Sequence, residues 1–301
     1  MEKITPYLKK VYRKDLRSIL HHFYTLGMDG PTQQKVLTTM PRLLDYSNAK
    51  LEHSISYFQT DLNMTNAEVT QMIRKHPNIL THSIDGKLKR MTQFFIDFGI
   101  APSTWNKMLV RYPKVTSVPI EKLEARVRFL ESTLGLNGQW DVSYVVTGFP
   151  PTLWLREENI MNKVDVLRRE LVLEDEELRN IMVTYPSVLG YSIENNILPK
   201  IQFLLANRKP NSGTDVAVDS STQGSLGKVS VGAGLTRQEL KEFILYQPSL
   251  LGYSLEKRIR PRIAQLQQNY IRFSYAPPYL MSLTDERFRK WLVLFILSCW
   301  F

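Results

Sequence analysis

Cys299 is the only cysteine in 301 residues, so no internal disulfide and no cysteine-built zinc site can form. The five histidines, His21, His22, His53, His76 and His82, show no HExxH pattern and no other ligand spacing. No metal or cofactor is expected. A phosphate loop is excluded too, because "GSLGKV" lacks the G-x-x-x-x-G-K-[ST] spacing and a preceding strand. The run "EDEE" at 174–177 reads as the acidic first turn of a helix. With no catalytic constellation, an enzyme is not expected. Long hydrophobic runs are missing as well. The apolar end, 291–301 ("WLVLFILSCWF"), is too short to span a bilayer and reads as a buried last helix, so no membrane partner is expected. The first twenty residues are basic without an apolar h-region, which argues against a secretory signal. Carboxylates are in deficit, 29 against 39 lysines and arginines, for a net charge of +10. That balance points to a polyanionic partner.

What the chain does have is repetition. "YPSVLGYSIENNILPKIQFL" at 185–204 and "QPSLLGYSLEKRIRPRIAQL" at 247–266 agree at eleven of twenty places. Proline followed by a short apolar cluster occurs at 41, 77, 113, 150, 186 and 248, at intervals of 36, 36, 37, 36 and 62. The long interval contains 207–234, rich in Ser, Gly and Thr, which reads as a flexible inserted loop whose removal restores the period. After each proline phrase comes an apolar stripe at helical spacing: Leu51, Ile55, Phe58; Leu88, Met91, Phe95; Leu123, Val127, Leu130; Ile160, Val164, Leu167; Ile197, Ile201, Leu204; and Ile259, Ile263, Leu266. Ser47, Ser83, Ser192 and Ser254 stand where N-caps belong. A second helix follows, twice opened by a capping box, "TNAE" from Thr65 and "TRQE" from Thr236, and is ended by the next proline. Pro199 and Pro261 either kink the first helix or mark its start after a tight turn. The expected fold is all-α, an α-solenoid of about six helix–helix–turn repeats near 47–82, 83–118, 119–155, 156–191, 192–253 and 254–283, within one repeat domain over 1–290. No strand pattern of any length interrupts it.

The charge falls in columns. The residue before the middle of each stripe is Ser54, Arg90, Arg126, Lys163, Lys200 or Arg262, basic in five of six repeats. One turn earlier stand Lys50, Lys87, Lys122, Asn159, Asn196 and Arg258. Stacking would align both columns into a ladder able to follow a phosphate backbone, against the plainer reading of a solvated outer face. The densest segment is "EKRIRPR", with Lys257, Arg258, Arg260 and Arg262. Tyr46, Tyr191 and Tyr253 recur at one repeat position, where they either stack on bases or pack between units.

The phrases "PSVLGYS" and "PSLLGYSLEKRIRPRI" resemble the repeat of the mitochondrial transcription termination factor (mTERF) family, and the resemblance covers about 15–290. It is strong in the fifth and sixth repeats and worn in the third and fourth, where Pro119 and Arg156 replace the capping serine. The resemblance implies a curved α-superhelix whose basic groove holds double-stranded DNA, or RNA in some members, and a place in mitochondria or chloroplasts. It implies a role in transcription termination, transcript processing, splicing or ribosome assembly. A monomer is expected. A protein-interaction scaffold with incidental charge is the competing class.

Overall fold

The structure is a computed structural model describing residues 13–206, 232–273 and 278–298. Among these are fourteen α-helices and no strand. They divide into two compact units, Met1–Arg156 and Glu157–Phe301. The first holds α1 (Arg13–Thr25), α2 (Gly30–Thr39), α3 (Asn48–Ser56), α4 (Asn66–Lys75), α5 (Arg90–Asp97), α6 (Pro102–Arg111), α7 (Leu123–Leu134) and α8 (Gly138–Gly148). The second holds α9 (Glu157–Leu171), α10 (Asp175–Thr184), α11 (Leu198–Leu205), α12 (Arg237–Tyr246), α13 (Arg260–Gln268) and α14 (Asp285–Ser298). The expected loop at 207–234 lies outside the described residues except for its last three. Those three are tied down, because Ala233 N donates to Phe203 O and Gly234 N to Ala206 O.

Each proline does what its chemistry dictates. The residue before it leaves the helix with φ between −149° and −135° at Met40, His76, Tyr112, Phe149, Tyr185 and Gln247. A 3₁₀ turn follows and buries its apolar pair, as Leu43 with Leu44, Ile79 with Leu80, Val188 with Leu189, and Leu250 with Leu251. Every member of the six apolar stripes is buried. At about 1.5–3 kcal/mol for each large aliphatic side chain removed from water, these stripes are the main cohesive term. The second helices open with the expected capping boxes at Thr65/Glu68 and Thr236/Glu239, and a third forms at Glu174/Glu177 inside the acidic run.

The first helices solve a register problem. Ser47 lies four residues before its first stripe residue, and Leu51 N bonds Ser47 O at the α-helical spacing. Ser83, Ser192 and Ser254 lie five residues before theirs. There Leu88 N, Ile197 N and Ile259 N bond the serine carbonyl across five residues, giving π-turns at Ile84–Lys89, Ile193–Ile197 and Leu255–Ile259. The extra residue is absorbed locally, so cap and stripe both keep their places. All four serine hydroxyls accept the expected cap bonds, from Lys50, Gly86, Asn195 and Lys257 N. Pro199 and Pro261 sit in the first turn of the regular helix just after such a π-turn. Between the two sequence readings, the tight-turn start is the one adopted.

The far ends of the first helices repeat as well. Gly27, Asn63, Gly99, Gly135, Val172 and Tyr270 all have φ between +50° and +84°, one ahead of the first repeat and one in each repeat except the fifth. Side chains from second helices bond the carbonyls nearby: Thr70 Oγ1 to Leu26 O, Asn106 Nδ2 to Leu62 O, Gln139 Nε2 to Asp97 O and Lys241 Nζ to Val172 O. The described part of the apolar C-terminal run, 291–298, forms the end of α14. Phe288 and Leu292 are buried, but Val293, Leu294 and Leu297 are exposed, so the buried-helix reading holds for one face only. No helix among the described residues is long and apolar enough to cross a membrane.

Candidate nucleic-acid interface

The two cation columns meet different fates. In the mid-helix column, Ser54, Arg126, Lys200 and Arg262 are 2–8% exposed. Each donates to the proline turn, or the end of the turn, that closes its own repeat. Ser54 Oγ reaches Leu80 O at 3.4 Å, and Arg126 Nε reaches Thr152 O at 2.7 Å with a further bond from Nη2 to Leu155 O. Lys200 Nζ donates to Leu251 O and to Asn196 Oδ1. The Arg262 guanidinium takes Leu280 O, Met281 O, Leu283 O and the Asp285 carboxylate, all within 3.1 Å. A 3₁₀ turn leaves its last carbonyls without intrahelical donors, and burial makes such orphans costly. These side chains satisfy them. At 2–8% exposure these cations are not presented to a phosphate at the surface, so the sequence expectation of a continuous phosphate ladder on this column does not describe Arg126, Lys200 or Arg262.

Arg90 differs because it is one residue out of register. The other members lie four residues before the last stripe residue, whereas Arg90 lies five before Phe95 and Met91 takes the clamp position. Met91 is buried and Arg90 is exposed, held only by a long 3.4 Å bond to Gly86 O. Lys163 is in register but half-buried, and desolvation holds its pKa below the usual lysine range against the opposing pull of Glu194.

The first-turn column is the accessible one. Lys50 and Lys122 are exposed and Lys87 is half-buried, and none of the three is ion-paired to a carboxylate among the described residues. Lys50 Nζ lies 4.0 Å from the centre of the Tyr46 ring. Arg258 stands 4.8 Å over the Tyr253 ring, so the recurrent tyrosine braces the cation beside it. Lys257 is exposed next to it. Arg260 instead turns to Glu256 at 2.8 Å and to the Phe203 ring. Burial, then Lys87, then His76 push the His82 pKa down to about 4. Burial, then Lys114, then Lys87 lower that of His76. Both shifts favour the neutral imidazole, chiefly through burial, with Lys87 and Lys114 adding to it. Lys114 was missed in the sequence columns because it follows Pro113 in the turn, and only folding brings it beside His76.

The family profile of mTERF matches residues 4–139, 97–214 and 235–289. The chain belongs to the mTERF family. Among curated relatives, mTERF similarity extends to "Transcription termination factor 3, mitochondrial" of Drosophila melanogaster, 21% identical over 131 residues, which are 44% of this chain and 37% of that protein. It extends also to "Transcription termination factor MTERF8, chloroplastic" of Arabidopsis thaliana, 20% identical over 217 residues, 62% of this chain and 43% of the relative. The chain thus matches less than half the length of either.

Within the mTERF repeat the clamp has a pH signature at Lys200. Its ammonium is buried against neutral acceptors, and desolvation pushes its pKa down to about 8. Between pH 8 and the ordinary lysine range the unfolded chain holds a proton that the folded chain has released, so folding gains stability as pH rises through that window. Lys200→Met copies the Met91 solution of the second repeat and removes this gain. Urea unfolding of parent and variant at pH 7 and pH 10 should show the parent gaining about 2 kcal/mol on the variant. An unchanged difference would contradict a buried, carboxylate-free Lys200.

Proposed function

We propose that this mTERF protein binds nucleic acid through the first-turn cations Lys50, Lys87 and Lys122 of the N-terminal unit with Arg90 beside them, that Lys257 and Arg258 offer cations of the same kind in the C-terminal unit, and that its ligand is double-stranded DNA during organellar transcription. The observation that supports this reading is that three consecutive repeats of one unit keep a lysine at the same position, none of them ion-paired to a carboxylate among the described residues. Unpaired cations in register release counterions from a polyphosphate and give affinity with little sequence information. The names of the mitochondrial and chloroplastic relatives support an organellar setting and a part in transcription termination.

The test is a salt titration of binding to a duplex of about 25 base pairs and to an RNA hairpin of the same sequence. With at least three phosphate contacts, log K should fall against log salt with a slope of about −3 or steeper, and the duplex should bind more tightly. A flat salt response removes nucleic acid as the ligand of these lysines. Tighter RNA binding assigns the site to RNA instead.

A further inference from the structure

We propose that the turn junction between the second and third repeats is a proton-linked phosphate site, in which Lys87 and Lys114 hold the anion, Ser117 donates to it and His76 takes up a proton as it binds. This inference rests on the nucleic-acid reading above and adds a regulation to that surface, since binding then tightens as pH falls toward 6.

The residues one before and five after a turn proline face each other. In the fifth repeat they are Tyr185 and Tyr191, whose hydroxyls lie 2.6 Å apart. In the second repeat the same places hold His76 and His82, and no other repeat has a histidine at either. An imidazole changes charge near neutrality, which a phenol or an aliphatic chain does not. His76 is half-buried and crosses the junction, its Nε2 2.9 Å from Ser117 Oγ at the end of the turn Pro113–Ser117. Lys114 stands in that same turn, and Lys87 in the π-turn Ile84–Lys89. After burial, these two lysines are what disfavours a proton on His76, and no carboxylate among the described residues opposes them there. Glu121 acts on Lys87 instead. Lys75, next to His76 in the chain, spends its ammonium on Val110 O and Arg111 O. For His82, burial, then Lys87, then His76 push the pKa down to about 4, which leaves His76 as the group that responds near neutrality.

Two cations thus flank a neutral ring without a carboxylate ion pair of their own among the described residues. A phosphate seated on them offsets the charge that keeps the proton off His76, so the imidazole gains a proton from solvent as the anion binds. While Nε2 is bare, the Ser117 hydroxyl is spent on the ring. Once protonated, Nε2 donates to Ser117 Oγ, and the exposed hydroxyl turns its own hydrogen to the phosphate.

The experiment follows the His76 ring signals of the full-length chain by NMR across pH 5 to 8, with and without inorganic pyrophosphate at constant ionic strength. Pyrophosphate should raise the midpoint of the His76 titration by about half a pH unit or more, and Lys87→Met with Lys114→Met should remove that movement. In parallel, affinity for a duplex of about 25 base pairs should rise about threefold or more from pH 7.5 to pH 5.5 in the parent. His76→Gln and Ser117→Ala should each lose more than half of that gain. A raised midpoint in a chain that binds no duplex upholds the phosphate site and removes the nucleic-acid reading. A midpoint that pyrophosphate does not move overturns the proposal, and so does a full pH response of duplex binding in a folded His76→Gln. Where that variant melts early, the ring titration of the parent decides.

Discussion

Arg262→Met is expected to lower the stability of the C-terminal unit by about 3–5 kcal/mol, because it deletes a buried donor set and leaves its acceptors behind. The guanidinium is 2% exposed and serves three carbonyls of the last turn together with Asp285. Methionine fills much of the volume but donates nothing, so Leu280 O, Met281 O and Leu283 O lose their partners at about 1–3 kcal/mol for each buried orphan. The Asp285 ion pair adds little, since its carboxylate is 81% exposed and water takes over. Thermal unfolding should shift down by roughly 10 °C. A variant that melts with the parent would show that these carbonyls do not need the arginine.

The second large effect has the opposite character. Reversing Lys50, Lys87 and Lys122 to glutamate should weaken duplex DNA binding by about a hundredfold or more at 100 mM salt. The salt slope should lose about three units in magnitude. Stability should move little at exposed Lys50 and Lys122, where substitutions typically stay within about 0.5 kcal/mol each, and somewhat more at half-buried Lys87. Binding and melting are thus expected to separate here, whereas Arg262→Met moves melting first.

Much of the fold was legible in the sequence because it rests on local rules applied repeatedly. The prolines end helices, the serines cap them, and the stripes bury as read. What local rules do not determine is which side of a column meets the neighbouring repeat. The mid-helix column looked like a phosphate ladder because it was basic, yet its first member is Ser54, which shares with arginine and lysine the capacity to donate and not the charge. That serine was the available signal that hydrogen-bond donation, to Leu80 O and its equivalents, is what the position requires. Arg90 was misplaced by the spacing of its stripe, where the two later members stand three and seven residues after Leu88 instead of four and seven. The π-turn before it preserves the register from the serine, and counting back from Phe95 would have put Met91 at the clamp. The left-handed bends were legible at Gly27, Gly99 and Gly135 but not at Val172, whose branched side chain is a poor fit to positive φ.

We propose that register decides whether a cation holds the fold or meets the ligand. Its most direct test is the duplex affinity of Arg262→Met, measured at a temperature where circular dichroism shows it folded, beside the Lys50/Lys87/Lys122→Glu variant. An affinity within about twofold of the parent is expected for the arginine variant, and a loss of about a hundredfold for the lysine variant. A folded Arg262→Met that loses binding as severely as the lysine variant would contradict it.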